Sequence, residues 1–305
     1  MSFERLTILD VVGLCDGTED RLSRCSDIPV IAPADDPSNA AEVLERAAGS
    51  DGLIVSYKTS VPFGVMDANP GMRYVGLCAS PFADPTSCNV DLASAALRGI
   101  TVTALGQHGD EATAEWVIAS MLNAALQIGP VSLRESRCEL FGKRLGIVGL
   151  GAVGSHVARR AQAFGMDVVY SARARKPFAD SCGYSYLQLV ELLETSDIVT
   201  VHIGKGVQIM GTNEFERLPT NTLLINTSIG SVFDPMAFTA WLSRGGLAIA
   251  DVTVDPCLGE PMEESKNAWV SPRSAADTLE MKQRKSDQLV ENVEAFLAGN
   301  PVRVL

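Results

Sequence analysis

The sequence predicts an α/β protein of two domains, with parallel sheets covered by helices. Three observations carry that prediction. Short apolar β-type runs alternate with helical stretches along the chain. A glycine fingerprint at 149–154 joins a strand to a helix. The length, 305 residues, is enough for two domains of ordinary size.

The first series opens with the strand "LTILDVVG" and a helix over 39–48. The strands "GLIVSY" and "RYVGLCA", a helix over 91–98 and the strand "ITVTAL" follow. The stretch "GDEATAEWVIASMLNAALQIG" is a helix over 109–128, opened by acids and closed by Gly129-Pro130. It is apolar nearly all round, through Trp116, Ile118, Met121, Leu122, Ala125 and Ile128. A helix without a wet face is buried on several sides, which suggests packing between domains or against a second subunit. The second series runs through "KRLGIVGLG", "MDVVYSA", "DIVTVHI", "TLLINTS" and "GLAIADVTV", then a helix over 278–298 and the tail "NPVRVL". No internal repeat or low-complexity linker interrupts it.

Hydrophobic residues make up 46% and charged residues 20%, a globular composition. No apolar run approaches the ~18 residues that span a bilayer. The N-terminus lacks a basic-then-apolar leader, so a cytoplasmic protein is expected. A net charge of −12 without a Lys/Arg stripe argues against nucleic acid and against an anionic membrane as partners. The seven cysteines never lie closer than ten residues apart, which excludes CxxC sites and favours buried, reduced thiols. Three histidines supply no metal-binding spacing, and no metal is expected.

The strongest motif is "LGIVGLGAVGSHVARRAQAFG". Gly149, Gly151 and Gly154 have the GxGxxG spacing, with Ala152 and Val153 in the last gap. The motif ends a β-type run and opens a helix, so it reads as a dinucleotide-binding turn. Glycine is needed because the backbone must bend tightly and approach a pyrophosphate, which the helix N-terminus then holds. The next strand ends "YSARARKP", with Ser171, Arg173, Arg175 and Lys176 and no acid. A carboxylate there would hold the ribose 2′-OH of NAD(H); a hydroxyl and guanidinium groups suit a 2′-phosphate. NADP(H) is preferred on this reading, with NAD(H) still open.

These segments, with "NVDLASAALRGITVT", "ATAEW", "ELLETSDIVTVHI", "AIADV" and "VENVEAFLAGNPVRVL", resemble the D-isomer-specific 2-hydroxyacid dehydrogenases over nearly the whole chain. The resemblance implies a flavodoxin-like substrate domain, 1–103 with 277–305, enclosing a Rossmann domain, 104–276. It also implies an active site in the cleft and a homodimer paired through the Rossmann domain and the helix at 109–128. By the same resemblance, His202 lies beside the cofactor and Asp251 positions the nicotinamide carboxamide. Thr227 and Ser228 offer small polar groups to the same end.

Family members work with an arginine that grips the substrate carboxylate and a histidine, paired with a glutamate, that passes the proton. Where the family reads N-T-A-R-G, this chain reads "NTSIG", with Ile229 in the arginine's place. Its histidine position holds Arg273, in "VSPRSAADT", and its glutamate position holds Pro256. The loop "GLCASPFADPTSCNVDL" is also longer than the family's and lacks its glycine-rich run. Isoleucine cannot bind a carboxylate, and arginine cannot shuttle a proton near pH 7.

Four residues are candidates for the missing roles. Arg273 can anchor a carboxylate. Tyr57 and Lys58, at a strand end in "LIVSYKTSV", can donate a proton if burial or a nearby cation lowers their pKa. His108, in "LGQHGDEATAEW", is the remaining histidine expected near the nicotinamide. His156 reads as packing or solvent-facing, and Asp255 and Glu260 as loop carboxylates.

Three functions fit these residues. The leading one is an NADPH-dependent reductase of a small substrate, an imine, an activated alkene or an oxo compound. The second is a conventional 2-oxo acid reductase with relocated residues, Arg273 as anchor and His108 as acid. The third is a catalytically weak protein that senses the dinucleotide.

Overall fold

A computed structural model describes residues 2–81, 88–204 and 207–305. The chain divides into two compact units, residues 1–108 with 278–305, and residues 109–277.

The first unit carries β1 (Leu6–Ile8), α1 (Thr18–Ser23), α2 (Ala40–Ala47), β2 (Gly52–Val55), α3 (Phe63–Asp67), β3 (Tyr74–Leu77), α4 (Leu92–Leu97) and β4 (Thr101–Thr103). Its strands form a parallel sheet in the order β1-β2-β3-β4. Phe3 makes a single parallel bridge to Ser26, so the segment after α1 lies beside β1. Counting that segment, the order becomes the 2-1-3-4-5 of flavodoxin-like folds. Leu53, Val55, Val75, Leu77 and Val102 pack on one face, with Val43, Val65 and Ala95 of the helices. Leu6, Ile8, Ile54 and Tyr74 pack on the other. Residues 82–87 of the long loop noted above lie outside the described residues.

The second unit carries α5 (Asp110–Leu126), β5 (Arg144–Val148), α6 (Ala152–Ala163), β6 (Asp167–Ser171), α7 (Pro177–Cys182), β7 (Ser185–Tyr186) and α8 (Leu189–Thr195). β8 (Ile198–Val201), α9 (Thr212–Arg217), β9 (Leu223–Asn226), α10 (Pro235–Ser243), β10 (Leu247–Asp251), α11 (Pro256–Glu264) and β11 (Ala268–Ser271) complete it. The chain then returns to the first unit through α12 (Leu279–Leu297), whose Leu289, Val290 and Val293 close that unit's second face.

The second unit's sheet is parallel, in the order β11-β10-β9-β8-β5-β6-β7. Strands β5, β8 and β9 are buried on both faces, as an all-parallel sheet requires. Ile147, Tyr170, Ile198 and Ile225 face one apolar cluster, while Val148, Val169, Val199 and Leu224 face the other. The order reverses direction between β5 and β8, and ligands bind beyond the strand ends at such a point.

Helix α5 spends most of its apolar surface inside this unit. Ala114, Val117, Ile118, Met121, Ala124 and Ala125 join the cluster that holds β5, and Trp116 stacks on Trp269 of β11 at 6.4 Å. Leu126 and Ile128 remain exposed, Ile128 at 66%. The helix ends before Gly129-Pro130 because Gln127 turns left-handed, at φ 53°. That conformation is uncommon for glutamine; here its side-chain amide donates to the carbonyls of Arg134 and Glu135, 2.9 Å each. Among the described residues no helix is long and apolar enough to cross a membrane.

Candidate functional site at the strand exits of the second unit

The turn between β5 and α6 is threaded between its neighbours. Gly149, at φ 95°, donates its N–H to Ser171 O at 2.8 Å. A Cβ on it would stand 2.2 Å from the carbonyl oxygen of His202, so only glycine fits. A Cβ on Gly154 would meet Gly149 O at the same 2.2 Å. Gly151 differs: a Cβ there would meet nothing within 4 Å. It is the N-cap of α6 and no side chain caps that helix. The first N–H groups, from Ala152, Val153 and Gly154, are therefore offered to an incoming anion, with the helix dipole behind them. Open space at Gly151 and an uncapped N-terminus fit a dinucleotide pyrophosphate.

Beyond β6, Ser171 is half-buried and Arg173 and Arg175 are exposed. Arg175 is paired with Asp180 at 3.1 Å, whereas Arg173 has no salt bridge among those described. The Lys176 N–H donates to Tyr170 OH at 2.8 Å, which fixes the loop's path.

His202 leaves β8 with its N–H on Val148 O at 2.8 Å. Its ring Nδ1 lies 3.2 Å from Thr227 Oγ1, and Nε2 is sealed from solvent without a partner among the described residues. The residue keeps some accessible surface, but not at that nitrogen. Burial pushes its pKa down to about 3, so the imidazole stays neutral and is no acid for catalysis near pH 7.

At the exit of β9, Asn226 Oδ1 accepts the Ser228 N–H at 3.0 Å, and its Nδ2 is buried without a partner among the described residues. The Ser228 hydroxyl is engaged within the protein, accepting from Ile203 N–H and donating to Val201 O, both at 3.1 Å. It ties the exits of β8 and β9 together. Ile229 follows, 37% exposed.

Asp251 ends β10, 2% exposed. Its Oδ1 accepts the N–H (3.1 Å) and hydroxyl (2.5 Å) of Thr253, and its Oδ2 accepts the Ala275 N–H at 2.6 Å. Pro256 opens α11, where Asp255 is the N-cap and accepts Cys257 N–H at 2.9 Å. Asp255 is thus committed to the helix. Arg273, beyond β11, is exposed; its backbone is held by Ser271 Oγ on both the N–H (3.3 Å) and the carbonyl (2.9 Å). Sequence reading missed Ser271 and Asn226, although a serine two residues before an arginine in "SPRS" is a local signal of a hydroxyl-closed turn.

His156 is neither packing nor merely solvated: its Nδ1 lies 3.1 Å from Glu111 of α5, which also pairs with Arg160. Among the described residues no group of three or more His, Cys, Asp or Glu is placed to hold a metal.

Three candidates belong to the first unit. Lys58 Nζ is paired with Asp36 at 2.5 Å, and that contact, followed by the Val11 N–H, holds the Asp36 carboxyl below the usual range. The Lys58 N–H rests on Ser56 Oγ, which is itself anchored on the buried Asp10 at 2.6 Å. Tyr57 is half-buried against the apolar cluster. His108 Nδ1 lies 2.8 Å from Gly106 O; a carbonyl only accepts, so Nδ1 carries the proton.

The model of the D-isomer specific 2-hydroxyacid dehydrogenase NAD-binding domain matches residues 122–276, just over half of the chain. The chain belongs to the D-isomer-specific 2-hydroxyacid dehydrogenase family. It is an NAD(P)-dependent oxidoreductase of that family. A glyoxylate reductase of Korarchaeum cryptofilum is 28% identical over 86% of this chain and 84% of its own. The TT0316 protein of Thermus thermophilus superimposes with a TM-score of 0.82 at 29% identity, covering 99% of both chains. An acyclic imino acid reductase, solved with NADPH and D-Arg, has the same fold, with a TM-score of 0.81 at 23% identity over 98% of this chain and 99% of its own.

Proposed function

We propose that the protein is an NADPH-dependent reductase of small carboxylates whose reacting carbon is double-bonded to a cationic nitrogen. One observation carries the reading: the dinucleotide cradle is intact, while Ile229 and Pro256 stand where the family's arginine and glutamate would act. The N–H groups of Ala152, Val153 and Gly154 would hold the pyrophosphate, and Ser171 and Arg173 the ribose 2′-phosphate. The nicotinamide, when bound, supplies hydride. Asp251, whose Oδ2 meets only the Ala275 N–H among the described residues, would accept from the carboxamide of that ring.

Arg273 holds the substrate carboxylate by a charge-assisted pair. Reduction of a ketone leaves an alkoxide that needs a proton at once, whereas reduction of a cationic imine leaves a neutral amine. No protein acid is required for the second. His202, held neutral, keeps a charge away from the dinucleotide, and Thr227 orients its ring.

The test supplies C4-deuterated NADPH with pyruvate, in the presence and absence of methylamine, and reads deuterium in the products by mass. Deuterated N-methylalanine, with little lactate, is expected. Equal or faster labelling of lactate without the amine would overturn the reading. A second reading is conventional 2-oxo acid reduction with Arg273 as anchor and His108 as acid; loss of lactate formation in His108→Ala would establish it. Tyr57 and Lys58 are proton donors only under that second reading. The exposed Leu126 and Ile128 support pairing of two copies through the region of α5, in a cytoplasmic homodimer.

A further inference from the structure

Arg273 combines an exposed side chain with a backbone that is held unusually tightly. Residues Asp251 and Ser271 are register partners at the ends of β10 and β11, and both are buried, at 2% and 6% exposure. From Ser271 the hydroxyl spans Arg273, accepting its N–H and donating to its carbonyl. From Asp251 the carboxylate reaches past Arg273 to the N–H of Ala275, itself buried, at 2.6 Å. The next turn is closed as well: Ser274 accepts from Ala276 through its hydroxyl and from Asp277 through its carbonyl. Two buried polar side chains are thus spent on a four-residue loop whose one charged side chain is exposed. Burying a carboxylate without a cation is costly, and it is tolerated here because three donors meet it.

We propose that Asp251 and Ser271 are positioning residues for Arg273, holding its loop so that the guanidinium meets a substrate carboxylate in one fixed place. The same carboxylate reaches a second loop: Thr253, bound to Asp251 Oδ1, accepts Gly230 N–H at 3.4 Å. The segment bearing Ile229 is thereby linked to the one bearing Arg273 through a single side chain. The apolar and cationic ends of the substrate site are set by Asp251 together. A loop fixed in advance loses no ordering entropy when the anion binds, which is where the affinity comes from. This inference rests on the reading of Arg273 as the carboxylate anchor.

The experiment titrates oxalate, a dicarboxylate probe, into the protein saturated with NADP+, and follows amide exchange of residues 272–277 in parallel. Asp251→Asn and Ser271→Ala are expected to weaken oxalate binding at least tenfold, as Arg273→Ala does. Combined with Arg273→Ala, neither should cost anything more, because a positioning residue has nothing left to position. Exchange at Ala275 should quicken in Asp251→Asn while the amides of β10 stay protected, and NADP+ affinity in Ser271→Ala should be unchanged. If Arg273→Ala binds oxalate normally, the anchor reading fails, and the exchange data alone then report on the loop. If Arg273→Ala weakens oxalate but Asp251→Asn and Ser271→Ala do not, or if their effects add to it, the positioning role is overturned. Unchanged exchange at Ala275 in Asp251→Asn would overturn it too. Ser271→Ala keeps the test open should the aspartate variant fail to fold.

Discussion

Gly154 and Gly149 approach so closely that a methyl group on the first would sit 2.2 Å from the carbonyl oxygen of the second. The close approach brings α6 down onto the end of β5 and aims its N–H groups along the strand exit. Gly151, three residues before Gly154, has open space: a Cβ there would meet nothing within 4 Å.

The two glycines should therefore fail differently. Gly154→Ala forces backbone against backbone and is expected to cost about 3 kcal/mol of stability, read as a lowered urea midpoint. Gly151→Ala, at φ −89°, should unfold like the parent yet bind NADPH about tenfold more weakly. Normal NADPH affinity in Gly151→Ala would mean that no phosphate comes to that turn.

Arginine 173 should decide between the dinucleotides. One charge-assisted contact to a phosphate contributes about 1.5–3 kcal/mol, so Arg173→Ala should raise the NADPH dissociation constant roughly 10- to 100-fold and leave NADH unaffected. Arg175→Ala should do less, because Asp180 already occupies its guanidinium. Fluorescence titration with both cofactors checks this, and a parallel loss of NADH binding would contradict it.

The buried His202 gives the protein an acid-side weakness. Its pKa in the folded state is about 3, below the ~6.5 of an unfolded chain. Above pH 6.5 neither state binds the proton, so its neutral burial costs nothing there. As pH falls below 6.5 only the unfolded state takes up the proton, and stability drops by about 1.4 kcal/mol per unit. Urea midpoints at pH 7, 6 and 5 should show that slope in the parent and a shallower one in His202→Gln. Equal slopes would locate the acid sensitivity elsewhere.

Ile229 is exposed enough to be replaced by a longer side chain without disturbing the core. Ile229→Arg should return a cation to the exit of β9 and lower the KM for pyruvate severalfold. Little gain in kcat is expected, since an arginine supplies no proton. Steady-state kinetics separates the two constants, and an unchanged KM would show that the position does not meet the substrate.

Much of the second unit was legible because its signals are local. Alternating apolar runs mark strands wherever both faces of a sheet are covered, and the glycine spacing reports backbone geometry directly. The helix of α5 was legible in extent, and the structure adds where much of its apolar surface goes: Trp116 stacks on Trp269 of β11, and Val117 joins the cluster that holds β5. Hydrophobicity says that a face is covered, not by what. The roles of Ser228 and Asp251 depended on atoms brought from distant segments, Val201 O and Ala275 N, and no periodicity in one segment carries that information. The pairing of His156 with Glu111 was hidden for the same reason.

The seven-stranded sheet ends in two short borders, β7 with only two residues and β11 with four. An open border is a row of unpaired N–H and C=O groups on which another chain can build. Two residues offer almost no template, and four offer little more. The protein therefore resists edge-to-edge aggregation by brevity, without the charged or proline-studded borders that longer strands require.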